Sequence, residues 1–115
     1  MLKIDQMAKS ATPITAKVEE KISPRTRAIL TVHFAGHPCD MDPINEIANA
    51  QNIPVVEDAA HAAGAKYKDR MVGSLGTIGC FSFHALKNMS TGDGGMLTTD
   101  DEQISERVKN LRWMG

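Results

Sequence analysis

The chain has 115 residues, of which 42% are hydrophobic and 23% charged, and its formal net charge is −1. This composition predicts one small soluble domain, and the absence of a basic excess argues against a nucleic-acid partner. The N-terminus lacks a signal peptide, no window has the roughly 18 apolar residues of a membrane helix, and two distant cysteines predict no disulfide scaffold, so we expect a cytoplasmic protein.

The first half of the chain predicts alternating helices and strands. Residues 1–15 are weakly patterned. The elements that follow are a helix over 15–22 ended by Ser23-Pro24, a strand over 27–34, a helix over 43–51 capped by Asp42, a strand over 53–58, and a short helix that begins at 59 and stops at Gly64. Strand–helix–strand alternation predicts a parallel α/β unit.

The second half predicts a sheet edge followed by a helix. The segments are a hairpin over 66–76, strands over 78–83 and 95–99, and a helix from about Asp101 to Met114. Parallel strands covered on one side only would leave a sheet face and its edges bare. We therefore expect the chain to be a piece of a larger domain.

Polar side chains follow the predicted parallel strands. Ligands of open parallel sheets bind beyond the carboxyl ends of the strands. Glu57 and Asp58 end one strand, His33 lies near the end of another, and Lys87 follows a third. A carboxylate, an imidazole and an amine are therefore predicted to converge on one rim.

Lys87 and Asp58 each have an ordinary explanation beside a chemical one. A lysine among apolar strands and glycines is partly desolvated, which favours a neutral, nucleophilic amine, although solvated loop lysines are more common. Asp58 is well placed to cap a short helix, and a carboxylate there also suits a cationic nitrogen of a ligand. The two interpretations of Asp58 are compatible.

The loop STGDGG (90–95) and Ser82 suggest an anion site only weakly. Backbone N–H groups and hydroxyls of such a loop suit a phosphate, but neither a GK[ST] ending nor GxGxxG is present, and a flexible turn is the simpler interpretation. Ser82 lies between Phe81 and Phe83, so it faces the other side of the strand if both rings enter the core. Its hydroxyl suits phosphate or a neighbouring backbone group.

Two further classes of site find little support. His33, His37 and Cys39 are loosely spaced, Pro38 interrupts them and no second cluster completes four ligands, so a metal site is not expected. A nucleotide-binding module is also disfavoured, because the glycine fingerprint is missing after the first strand.

Two quoted stretches carry a specific resemblance. VHFAGHPCDMDPINEIA (32–48) and PVVEDAAHAAGAKYKDRMVGSLGTIGCFSFHALKNMSTGDGGMLTTD (54–100), continuing to residue 115, resemble the DegT/DnrJ/EryC1/StrS family of pyridoxal 5′-phosphate (PLP)-dependent sugar aminotransferases, whose fold is that of fold type I, like aspartate aminotransferase. The resemblance divides the chain into a poorly matching segment, 1–17, and part of the large PLP-binding domain, 18–115.

The resemblance implies roles for four residues. Lys87 matches the lysine that forms a Schiff base with the cofactor and later moves a proton, and Asp58 matches the acid that keeps the pyridine nitrogen protonated. His61 matches a position that contacts the cofactor ring or its 3-hydroxyl, and Ser82 matches a hydroxyl that binds the phosphate. Some relatives carry histidine in place of this lysine and act as dehydratases, so Lys87 implies an aminotransferase.

The implied reaction is transamination of a keto group on a nucleotide-linked sugar, with glutamate as the expected amino donor, for surface polysaccharide or secondary-metabolite sugars. Whole family members are much longer and form their active sites between two identical subunits. We therefore expect a homodimer in a full-length parent, and no turnover by this chain alone. The alternative is a non-catalytic remnant or interaction fragment with at most weak PLP binding.

Overall fold

The computed structural model describes residues 2–5 and 14–112, with side chains described from residue 16. Seven strands and three α-helices lie in these ranges. In chain order they are β1 (Leu2–Asp5), α1 (Ile14–Lys21), β2 (Ile29–Val32), α2 (Met41–Ala50), β3 (Val55–Asp58), β4 (Lys66–Tyr67), β5 (Arg70–Met71), β6 (Ile78–Ser82), β7 (Gly95–Thr98) and α3 (Glu102–Leu111).

Five of the strands form one mainly parallel sheet, in the order β1-β2-β3-β6-β7. β1, β2, β3 and β6 run parallel, and β7 pairs with β6 in the antiparallel sense. The sheet with its flanking helices confirms the predicted fold class. The predicted hairpin is also confirmed, because β4 and β5 form a separate antiparallel pair.

The sheet has two unequal faces. Since side chains alternate along a strand, the register places alternate residues of β2, β3 and β6 on the same side. The covered face packs against residues of α1 and α2 in the buried core and carries Ile29, Thr31, Val55, Glu57, Gly79 and Phe81. The open face is only partly buried and carries Leu30, Val32, Val56, Asp58, Ile78, Cys80 and Ser82.

The predicted start of α2 is wrong by two residues. The helix begins at Met41 and its N-cap position is Asp40, so Asp42 lies in the first turn. Pro43 is the third helical residue, where a missing N–H costs no intrahelical bond. The side chain of Asp40 does not cap the helix but accepts a hydrogen bond from the Tyr67 hydroxyl, while Asp42 pairs with Lys68. These contacts dock the hairpin on α2.

The segment after β3 is the second correction, because residues 59–65 form successive turns and no helix. The N–H of Ala62 donates to the carbonyl of Ala59 at 2.9 Å, and the N–H of Ala65 donates to that of Ala62 at 3.0 Å. Gly64 has a φ of +82°, which a helix does not allow. These two hydrogen bonds each join residues three apart, so they close successive turns and do not form a continuous helix.

The ends of the chain differ from the sequence expectations in two ways. β1 was not predicted, although it pairs in parallel along its whole length with β2. α3 is confirmed, and its N-cap Asp101 accepts hydrogen bonds through Oδ1 from the N–H groups of Gln103 (2.8 Å) and Ile104 (3.0 Å). The predicted last helical residue, Met114, lies outside the described residues. Within residues 2–5 and 14–112, no helix is long and apolar enough to cross a membrane.

Candidate active site

Asp58 is the last residue of β3 and is half-buried on the open face. Its Oδ1 accepts a hydrogen bond from the N–H of Ala60 at 3.1 Å. Its register partners are Val32 and Cys80, so apolar and thiol groups flank the carboxylate. Among the described residues Oδ2 has no hydrogen-bond partner, and it is therefore available to a ligand on the open face.

Ser82 ends β6 on the same face as Asp58. It lies two residues beyond Cys80, the register partner of Asp58, and is half-buried. Its Oγ lies 3.5 Å from the N–H of His84, the limit of a hydrogen bond. As predicted, it points away from the face that Phe81 occupies. The structure therefore brings a carboxylate and a hydroxyl to the carboxyl ends of adjacent parallel strands.

Lys87 lies in the loop that leaves β6, residues 83–94. Backbone bonds of Phe83 close the base of this loop: its N–H donates to Gly94 at 2.8 Å and its carbonyl accepts from Thr91 at 3.0 Å. Asn88 Nδ2 donates to the carbonyl of Ala63 at 3.0 Å and ties the loop to the turns that follow Asp58. The Lys87 side chain is half-buried, and its amine has no partner in the described part of the chain.

His61 lies in the turns after Asp58, exposed and held by the neighbouring 3-10 turn Phe34–Gly36. Its ring meets the Phe34 ring edge-on, with centroids 5.8 Å apart, and its Nδ1 accepts from the N–H of Ala35 at 3.4 Å. Ala35 has a φ of +52°, a left-handed conformation that is strained for a residue with a Cβ. Because Nδ1 is an acceptor, the ring proton of neutral His61 lies on Nε2.

The predicted convergence on one rim is only partly correct, because Glu57 and His33 lie on the covered face. Both side chains are fully buried, and Glu57 Oε2 lies 2.9 Å from His33 Nε2. Three backbone N–H groups also donate to the Glu57 carboxylate: Gly73 at 2.8 Å, Leu75 at 2.8 Å and Gly76 at 2.7 Å. Strand alternation alone would have separated Glu57 from Asp58, but no sequence signal predicted these donors.

Hydrogen bonding governs the charge of Glu57. Burial is the largest single influence and by itself would raise the pKa of the carboxyl group. The bonds from His33 and from the backbone N–H groups of Gly76, Gly73 and Leu75 together outweigh burial, so the pKa of Glu57 lies below its ordinary value. Glu57 is therefore a buried anion at neutral pH.

The thiol of Cys80 responds to both carboxylates. Burial raises the pKa of Cys80 most, and the negative charges of Asp58 and then Glu57 raise it further. The thiol is therefore neutral at physiological pH. A negative charge on Asp58 beside this thiol favours a protonated ligand nitrogen on the open face.

A large groove lies elsewhere, between α3 and the loop before β6. Its volume is about 1010 Å³, and its lining includes Gly73, Phe81, Met96, Val108 and Arg112. None of the four predicted site residues lines it. The chemical groups that suit a cofactor lie on the open sheet face, so the groove is not the candidate active site.

The fold is that of the fold type I aminotransferases. DesV from S. venezuelae, solved in complex with a ketimine intermediate, is 46% identical and has a TM-score of 0.82 over 88% of this chain and 28% of its own. The E. coli enzyme GDP-4-keto-6-deoxy-D-mannose-3-dehydratase with bound hydrated PLP is 33% identical, with a TM-score of 0.78 over 85% of this chain and 25% of its own.

Residues 2–115 match the model of the DegT/DnrJ/EryC1/StrS aminotransferase family, and the chain belongs to that family. The matched range includes residues 2–17, which belong to the segment predicted to match the family poorly. An uncharacterised protein of Methanocaldococcus jannaschii is 52% identical over 86% of this chain and 26% of its own length. The spore coat polysaccharide biosynthesis protein SpsC of Bacillus subtilis is 46% identical over 97% of this chain and 28% of its own.

The chain thus spans about a quarter of the length of these relatives. The resemblance that the sequence predicted is confirmed. The individual roles of Lys87, Asp58, His61 and Ser82, and the division into 1–17 and 18–115, stay predictions.

Proposed function

We propose that this chain supplies the cofactor-binding core of an enzyme that transfers an amino group to a keto group on a nucleotide-linked sugar. The observation that carries the proposal is the shared position of Asp58 and Ser82 on the open face, next to the loop that presents Lys87. Turnover, a homodimer, a cytoplasmic location and glutamate as amino donor are proposed for a protein of the relatives' length.

The residues present suit PLP by their chemistry. When bound, the cofactor supplies an aldehyde for covalent capture by an amine and a ring that accepts electrons. Asp58 would hold the proton on the ring nitrogen, since its Oδ2 is unpartnered among the described residues and lies on the open face. Ser82 would bind the phosphate through its hydroxyl, and the Nε2–H of His61 would donate to a ring oxygen.

Lys87 would supply the amine and carry the proton that transamination moves. Its loop is fixed at both ends by the backbone bonds of Phe83, yet its amine is not held by an ion pair in the described chain. An amine that is positioned but unpaired is available as nucleophile and base. Its identity as lysine favours transamination over the dehydratase chemistry that one structural neighbour performs.

Exposed apolar side chains flank Lys87 and support a protein neighbour at this site. Leu86 is 88% exposed and Met89 is 54% exposed. Large apolar groups in water favour burial against protein. We infer that a second subunit covers this loop, in keeping with a homodimeric active site.

Borohydride trapping tests the proposal. The protein is mixed with PLP and reduced, and modified lysines are mapped by mass spectrometry. Selective labelling of Lys87 is expected, abolished by Lys87→Ala, weakened by Asp58→Ala and unchanged by Lys66→Ala, which removes an exposed hairpin lysine. Labelling spread evenly over exposed lysines would contradict the proposal and favour a non-catalytic remnant.

A further inference from the structure

We propose that Glu57 is a positioning residue for Asp58, which it aligns from the opposite face of β3. The inference rests on the proposed function, in which Asp58 contacts the cofactor. Glu57 and Asp58 are consecutive residues of one strand, so their side chains leave it on opposite faces. A side chain fixed on one face therefore limits how far the strand can rotate and redirect its neighbour on the other.

Glu57 makes more hydrogen bonds than any other described side chain of the sheet. Its carboxylate accepts four hydrogen bonds of 2.7–2.9 Å, two at each oxygen. All four donors are N–H groups, and three belong to the backbone of residues 73–76, which cannot move as freely as side chains. A fully buried carboxylate with its acceptor positions filled has one favourable orientation, because any rotation leaves a charge unpaired.

His33 holds the fourth donor in a single tautomer. Its Nδ1 accepts from the backbone N–H of Cys39 at 3.1 Å, so the proton of the neutral ring lies on Nε2 and donates to Glu57. The ring is fully buried and bonded at both nitrogens. The chain from Cys39 through His33 to Glu57 thus connects the loop before α2 with the strand that carries Asp58.

The loop that Glu57 binds also fixes β6, the strand that carries Ser82. A Cβ on Gly79 would lie 2.5 Å from Gly73 Cα, and a Cβ on Gly73 would lie 2.4 Å from the Phe81 ring. Thr98 Oγ1 donates to the Gly73 carbonyl across the edge of the sheet. Gly73 therefore packs on Gly79 and Phe81 of β6 with no room for a Cβ, and Glu57 sets β3 and β6, with their open-face groups, in one arrangement.

A cofactor-free measurement tests the positioning. The bond from the Ala60 N–H to Asp58 Oδ1 reports the orientation of Asp58, and amide hydrogen exchange of Ala60 follows it. Glu57→Gln, which puts an NH₂ group among four donors, is expected to accelerate this exchange about tenfold. The control is Ile44→Ala, a cavity in α2 on the same face. When the two variants are compared at equal free energy of unfolding, Ile44→Ala should leave the exchange rate of the Ala60 amide close to that of the wild type.

The second readout uses the PLP-loaded protein and its absorbance band. Glu57→Gln is expected to move the pH midpoint of that band in the direction that Asp58→Asn moves it, by a smaller amount, whereas Ile44→Ala should not move it. Loss of stability without a shift would reduce Glu57 to a structural role. Absence of selective Lys87 labelling in the wild type would instead refute the proposed function, while the exchange of Ala60 still tests the positioning.

Glu57→Asp keeps the test decisive where Glu57→Gln does not fold. The shorter side chain retains the charge but cannot reach all four donors. Glu57→Asp must therefore also accelerate the amide hydrogen exchange of Ala60 more than Ile44→Ala does. Unchanged Ala60 exchange in a folded variant would overturn the proposal. Loss of the fold in both Glu57 variants would also overturn it, since Glu57 would then act on the whole domain and not on Asp58.

Discussion

Glu57 and Asp58 are neighbours in β3, but the two faces of the strand give their carboxylates opposite environments. On the covered face, Glu57 is fully buried and bound by four N–H donors. On the open face, Asp58 is half-buried and has one hydrogen bond, to Ala60. The covered face satisfies its carboxylate within the chain, whereas the open face leaves the carboxylate of Asp58 and the hydroxyl of Ser82 only partly bonded. The firmly bonded carboxylate and the carboxylate that is available to a ligand thus lie on opposite faces of one strand.

The largest expected difference between the faces is in stability. Glu57→Ala leaves three backbone N–H groups and the His33 Nε2–H buried without an acceptor, so it should lower the free energy of unfolding by about 3 to 5 kcal/mol. Asp58→Ala removes one part-buried hydrogen bond and should cost less than about 1 kcal/mol. Urea unfolding measures both. Equal losses would show that the two faces do not differ as described.

A glycine pair separates packing from backbone strain. Gly73 and Gly92 have φ values of +89° and +87°, but only at Gly73 would a Cβ meet other atoms, 2.4 Å from the Phe81 ring. Gly92→Ala should cost about 1 to 2 kcal/mol for the left-handed backbone alone, and Gly73→Ala about 3 kcal/mol. Chemical denaturation of the two variants measures the difference, and a similar cost would mean that the covered face is loosely packed.

Glu57, on the covered face, is expected to make the stability depend on pH. Because the pKa of Glu57 is lowered on folding, its contribution is fully present above the ordinary value of about 4.5 and is lost as pH falls through the folded pKa. Thermal unfolding from pH 7 to pH 3 should show this loss, and Glu57→Gln should flatten it. Ile44→Ala should lower the whole curve without flattening. A Glu57→Gln curve as steep as the wild type would assign the dependence to other groups.

The smallest expected effect is on the reactivity of Cys80. Burial, then Asp58 and Glu57, raise the pKa of this thiol above its ordinary value of 9.0. Alkylation at pH 8 should therefore be slow, and Asp58→Asn should accelerate it a few-fold by removing a nearby charge. Peptide mapping distinguishes Cys80 from the fully buried Cys39. An unchanged rate in Asp58→Asn would show that Asp58 does not influence the open face.

The sequence predicts the secondary-structure elements of this fold better than it predicts the contacts between them. Hydrophobic runs identified β2, β3, β6 and β7, because buried strands are locally apolar, and alternation placed Ser82 opposite Phe81. β1 was not predicted because its four residues have no distinctive hydrophobic pattern of their own, and only the pairing with β2 identifies the strand. The run after β3 reads as helical by composition, yet Gly64 and the closing turns prevent a helix.

The candidate site divides in the same way. Asp58 and Lys87 stand out locally, as polar residues at the ends of apolar strands. The donors of Glu57 do not, since Gly73, Leu75 and Gly76 lie 16–19 residues later and offer only backbone N–H groups. No side-chain pattern encodes a backbone donor. Spacing disfavoured a metal site at His33, His37 and Cys39; in the structure His33 bonds Glu57 and the N–H of Cys39.

The contact between Gly73 and Gly79 has a consequence for how this protein can diversify. Both positions already carry the smallest residue, and a Cβ on Gly79 would lie 2.5 Å from Gly73 Cα. No reduction is available at Gly73, so Gly79 has no route to another amino acid, whereas a larger residue at position 73 would also require a smaller one at Phe81. Directed-evolution libraries should hold both codons constant, whereas a substitution at Gly92, where a Cβ would meet no atom within 4 Å, carries only the strain of a φ of +87°.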